Sequence, residues 1–192
     1  DKKVWTFYGT GNQQRLQSIR ASTQNRLYGL RDDNFPLFKQ VSPNNTASTS
    51  LKDVSASGAC PSNTDLGWFL DLLANEKITG KLGIFNDIVY ASRYTPKAGQ
   101  ICSPGQAALT EHATACGGQT RRTELGDGIA TGAVIHNNLI YVGISGKGSG
   151  DVKDDQGNIV GKKINNLIVI NPQASGGIGG GKITQESWRE VY

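Results

Sequence analysis

Apolar residues fall in short runs cut by turn residues, and nowhere do they recur at helical spacing over a long window. Val4-Trp5-Thr6-Phe7-Tyr8 is β-branched and aromatic throughout, and Gly9-Thr10-Gly11-Asn12 ends it, which predicts a strand and a turn. Arg26 to Arg31 alternates ahead of Asp32-Asp33-Asn34 and predicts a second strand. Trp68 to Leu72 predicts a third; Leu72 to Lys77 either prolongs it or makes one helical turn. Two hairpins follow. Ile78 to Phe85 and Ile88 to Thr95 flank Asn86-Asp87, and Gly132 to His136 and Leu139 to Ser145 flank Asn137-Asn138. Both connections have two residues that tolerate positive φ. Leu167 to Asn171 predicts a further strand ahead of the glycine tract Gly176 to Gly181.

The recurrence of a strand, an Asn-containing turn and a strand, at roughly 40 to 55 residues, predicts four-stranded antiparallel blades of a β-propeller. At about 45 residues per blade the chain supplies roughly three to four. The expectation is therefore an all-β, β-propeller-like segment over residues 1–192, an incomplete C-terminal portion of a larger propeller. Two stretches stand outside the pattern. Lys39 to Cys60, rich in Ser, Thr and Asn, is expected to be a long surface loop, and Pro96 to Thr120 an insertion between the hairpins.

Composition agrees with many short elements, since the 192 residues include 25 glycines and 6 prolines. The absence of methionine, even at position 1, points to a processed or excised start at Asp1. No apolar stretch approaches the ~20 residues that span a bilayer. The net charge of +4 is scattered, with Arg121-Arg122 and Lys162-Lys163 among the few basic pairs, so neither a membrane span nor a nucleic-acid partner is expected.

Three cysteines narrow the compartment. A bridge between Cys102 and Cys116 would close a 15-residue loop, worth about 3 kcal/mol in the chain-entropy model, and would stiffen the 96–120 insertion. It would suit an oxidising compartment and leave Cys60 over. Buried thiols, or a metal held by Cys102, His112 and Cys116, are the other readings; the tight cysteine pair of structural zinc sites is missing.

Other chemistry is sparse. There is no G-x-S-x-G nucleophile motif, and the only histidines are His112, expected in a solvated loop, and His136, expected beside a hairpin turn. Gly146-Lys147-Gly148-Ser149-Gly150 lacks the GK[ST] ending of a phosphate loop. Asp151, Asp154, Asp155 and Asn158 are weak cation candidates, because Lys162 stands where a calcium loop carries its late acid. A Gly157-Asn158 turn between two strands explains the cluster better. No catalytic residue and no cofactor is expected.

Several strings together resemble the C-terminal region of PilY/PilC-type proteins of type IV pili. "VWTFYGTGNQQ" and "STQNRLYGLRDD" look like that family's FGTG and TQ…YGI.D signatures. "GWFLDL", "EKITGKLGIFNDIVYASRYTP", "GIATGAVIHNNLIYVGISG" and "ITQESWREVY" follow in the family's order. The resemblance implies a non-enzymatic, exported protein at the pilus tip. Its partners would be minor pilins or other tip proteins, the remainder of its own longer chain, and a host or abiotic surface. It would support pilus assembly, adhesion and twitching motility. The family's calcium loop lies upstream of the GTG strand, so it maps onto no residue here. The 39–60 and 96–120 segments depart from the pattern and are the expected contact surfaces, while Trp188 is expected to pack the last blade. Two rival readings remain: a fragment of a propeller enzyme, either a quinone-dependent dehydrogenase or a sugar-processing one, and a purely structural filament or tip subunit.

Overall fold

A computed structural model describes residues 3–19, 23–32, 50–56, 59–99 and 103–173. Most of the expected 39–60 loop, Cys102, the Gly176 to Gly181 tract and Trp188 lie outside the described residues. The fold is all-β. Three sheets, none closed on itself, match partial propeller-like blades, and every pairing is antiparallel except that of one two-residue strand.

The first sheet has the order β1 (Val4–Gly9), β2 (Arg26–Asp32), β4 (Gly67–Asp71), β3 (Lys52–Asp53). The middle sheet runs β5 (Lys77–Ile78), β7 (Ile88–Thr95), β8 (Gln106–Ala113), β9 (Gln119–Asp127), with β6 (Gly83–Phe85) also paired to β7. The third has the order β10 (Val134–His136), β11 (Leu139–Gly143), β14 (Leu167–Ile170), β13 (Ile159–Ile164), β12 (Ser149–Lys153).

Both expected hairpins form. Asn86 and Asp87 take φ of 49° and 60°, and Asn137 and Asn138 take 48° and 59°, the left-handed pair that matches a two-residue turn to strand twist. A further two-residue connection, Asn165-Asn166, joins β13 to β14, with Asn165 at φ 55° and Asn166 outside the left-handed region. The expected run from Ile78 to Phe85 is broken between β5 and β6. There Gly80 lies so close to the Gly132 backbone that a Cβ would sit 2.3 Å from its nitrogen. Leu72 to Glu76 is neither strand nor helix but a turn with Asn75 at φ 62°, and Lys77 opens β5.

The 96–120 stretch is not a loop insertion. It contributes β8, a central strand whose residues Ala107 to His112 are all buried. Alternation is absent there because β8 is covered on both faces. One face joins Ala107 and Leu109, with Ile88, Tyr90 and Leu125, to Ile140, Val142, Ile168 and Ile170 of the third sheet. The other joins Ala91 and Ile78 to Leu27, Trp68 and Leu70 of the first. A strand buried twice loses the polar-out signature and is hard to tell from a turn when its apolar residues are small.

Candidate functional site

Packing between two neighbours forces the middle sheet's polar side chains to find partners inside. On the face toward the first sheet, Glu76 is fully buried and accepts from Arg93 Nη1 at 2.8 Å through one oxygen and from Arg122 Nη1 at 2.7 Å through the other. Arg93 then donates from Nη2 to His112 Nε2 at 2.9 Å. His112 Nδ1 lies 3.0 Å from the Gly117 carbonyl, so Nδ1 carries the proton and Nε2 is the acceptor. Burial and the neighbouring Arg93 guanidinium push the His112 pKa down to about 3, which keeps the ring neutral. His112 is thus a packed strand residue and not the solvated loop residue the sequence suggests.

The opposite face carries a second pair. Tyr90, Glu111 and Arg121 are neighbours across β7, β8 and β9. Arg121 donates from Nε at 2.7 Å and from Nη2 to Glu111 Oε1, and Nη2 also reaches the Asn171 carbonyl at 2.9 Å. Burial raises the Glu111 pKa against the pull of Arg121, and burial beside Glu111 raises that of Tyr90. Breaking such a pair leaves a buried charge uncompensated.

A covalent tie closes the first face. The disulfide joins Cys60 to Cys116, not Cys102 to Cys116. The stretch between Ser103 and Cys116 is not a compact loop, because the eight residues of β8 run extended through it over about 23 Å. Cys60 precedes β4, and Trp68 of β4 donates its indole N–H to the Thr114 carbonyl at 2.9 Å, so the chain before β4 and the β8–β9 turn already meet. Trp68 lies between two glycines, where a Cβ on Gly29 or Gly117 would sit 2.4 or 2.3 Å from the ring.

The acidic cluster is not drawn together as a ligand set. Asp151 is exposed on β12. Asp154 Oδ1 accepts from the backbone N–H groups of Gln156 (3.0 Å) and Asn158 (2.8 Å), and its Oδ2 from the Asn158 amide at 3.1 Å. That is an Asx-type turn between β12 and β13, as the Gly157-Asn158 reading expects. Asp155 and Asn158 are exposed beside it, and His136 is exposed at the end of β10. Among the described residues no three His, Cys, Asp or Glu side chains converge as metal ligands, and no helix is long and apolar enough to cross a membrane.

A recess of about 170 Å³ is lined by Asn12, Arg15, Ser18, Thr23, Asn25, Asn75 and Lys77. Lys77 is buried there, and its three ammonium donors are taken by the carbonyls of Leu16 and Ser18, each at 2.8 Å, and Asn75 at 3.4 Å. Gln17 adds a 2.6 Å bond to the Tyr94 hydroxyl. These contacts fasten residues 16–18 to the middle sheet.

Sequence reasoning missed Glu76, Arg93, Glu111, Arg121 and Arg122. The available signal was an arginine inside the apolar run Ile88 to Thr95 and a Glu-His pair facing an Arg-Arg pair ten residues on. No family model matches this chain, and no curated protein matches it.

Proposed function

We propose that this chain is a non-enzymatic, extracellular module of a type IV pilus tip complex that acts through protein–protein contacts. The observation that carries the reading is the ordered set of strings shared with PilY/PilC-type proteins. Three of them coincide with elements a rigid binding scaffold needs. "GWFLDL" is β4, "GIFNDIVYASRY" is the β6–β7 hairpin, and "VIHNNLIYVG" is the β10–β11 hairpin. Two further observations support it. The Cys60–Cys116 bond suits an exported protein. The buried ionisable groups Glu76, Arg93, Glu111 and Arg121, with the partly exposed Arg122, are engaged in ion pairs, which stiffens a scaffold for its loops.

Deletion of the encoding gene in the native organism tests the reading. The expected result is loss of surface pili and twitching motility, restored by the full-length protein and not by a version lacking this module. Unchanged piliation and motility would overturn it, and so would turnover of a redox dye by the purified protein with added quinone cofactor.

A further inference from the structure

Exposed edge strands expose a row of unpaired backbone groups, and proteins blunt them by shortness, charge or bulges. Most edges here are blunted. β3 and β5 have two residues each, and β6 and β10 have three. β12 carries Asp151, Lys153 and a bulge, while β9 carries four charged side chains and two bulges. β1 has none of these devices. It is six residues long, contains no charged residue and pairs only with β2 among the described residues.

Hydrogen-bond parity identifies which β1 groups face away from β2. Thr10 N–H bonds the Arg26 carbonyl at 2.8 Å, and the register from Val4↔Asp32 to Gly9↔Leu27 continues that pairing. Val4, Thr6 and Tyr8 therefore turn their N–H and C=O groups toward β2, and Trp5, Phe7 and Gly9 turn theirs to the opposite side, where no described strand pairs with β1.

We propose that β1 pairs antiparallel with β1 of a second copy of this chain, about a two-fold axis at Thr6. In that register Trp5 stands opposite Phe7 of the other copy and Val4 opposite its Tyr8, joining each aromatic to an aromatic or β-branched neighbour. The open groups of Trp5 and Phe7 then bond each other, and residues sharing a face of the sheet keep it, as a one-residue slip would not allow. No like charges meet. Trp5 and Phe7 already stack at 6.0 Å on the inner face, and Tyr8 stacks on Tyr28 at 4.6 Å on the outer, so the edge is preorganised on both sides. This surface is independent of the pilus reading.

Sedimentation equilibrium of the oxidised full chain over a rising concentration series tests it. The mass is expected to double. Residue-resolved hydrogen exchange is expected to show the Trp5 and Phe7 amides gaining protection with concentration, while those of Thr6 and Tyr8 are protected throughout. Thr6→Lys, at an exposed position, places two ammonium groups across the axis and is expected to hold the protein at single-chain mass, with the melting midpoint that wild type shows at concentrations too low to associate. Ser149→Lys on the β12 edge is expected to leave the doubling intact. A wild-type chain of constant mass, a Thr6→Lys protein that still doubles, or doubling without protection of Trp5 and Phe7 would overturn the proposal.

Discussion

Arg93 holds His112 in its neutral form by donating to Nε2 at 2.9 Å, while the ring's Nδ1–H is spent on the Gly117 carbonyl. A proton on Nε2 would break that bond and face a guanidinium in a site closed to water. The folded-state pKa is therefore about 3, far below the unfolded value of 6.5. Between those values the unfolded chain binds a proton that the folded chain refuses. His112 thus contributes stability in full above about pH 6.5, and the contribution falls by about 1.4 kcal/mol per unit as pH drops toward 3. Comparing wild type with His112→Gln isolates this residue from the carboxylates. Urea unfolding at pH 7 and pH 5 is expected to show wild type losing about 2 kcal/mol more than the variant. Equal losses would show that the imidazole is not buried neutral.

Glu76 is the hub of the same network, because its two oxygens neutralise two arginines on different strands. Glu76→Ala leaves Arg93 buried without its carboxylate, and such a break costs about 3 to 5 kcal/mol. Arg122→Ala is expected to cost clearly less. Arg122 is 17% exposed, and Glu76 keeps Arg93 when Arg122 is removed. The order of the two urea midpoints checks the assignment of the hub.

The disulfide makes a sharp chemical prediction. Peptide mapping without reductant is expected to join the Cys60 and Cys116 peptides, and Cys102→Ser to leave that link in place. A link enclosing 56 residues of sequence separation is worth about 4 kcal/mol in the chain-entropy model. Cys60→Ser and Cys116→Ser should each lose that amount, and equally, since either removes the same constraint. A Cys102–Cys116 peptide would contradict the Cys60–Cys116 bond.

The fold class and two hairpins were legible because their signals are local. Alternation and a turn of two left-handed residues need only neighbours in sequence, as Asn86-Asp87 and Asn137-Asn138 show. β8 was not legible, because its identity depends on being covered by both flanking sheets, a property set by residues far from it in sequence, such as Leu27, Trp68, Ile140 and Ile170. The same holds for the buried network. Arg93 in an apolar strand and Glu111-His112 in an Ala-rich segment are understandable only once Glu76 and Arg121 are known to face them. Cysteine pairing failed for that reason too. Loop-closure entropy favours short loops but says nothing about a strand running between the two thiols.

The β10–β11 turn offers a test of local strain free of tertiary contacts. Asn137 and Asn138 are exposed at φ 48° and 59°, a region in which a Cβ crowds the following carbonyl and which asparagine tolerates better than other side chains. Asn138→Ala keeps the size small and removes only that tolerance, so it is expected to cost about 1 kcal/mol in urea unfolding. Asn138→Gly converts the pair to Asn-Gly, the preferred sequence for this turn, and is expected to hold or raise stability. Because Val134 to His136 make up the short edge of the third sheet, the loss should appear first as faster amide exchange at His136 and Leu139. Equal stability of the Ala and Gly variants would show that the turn relaxes to another geometry at no cost.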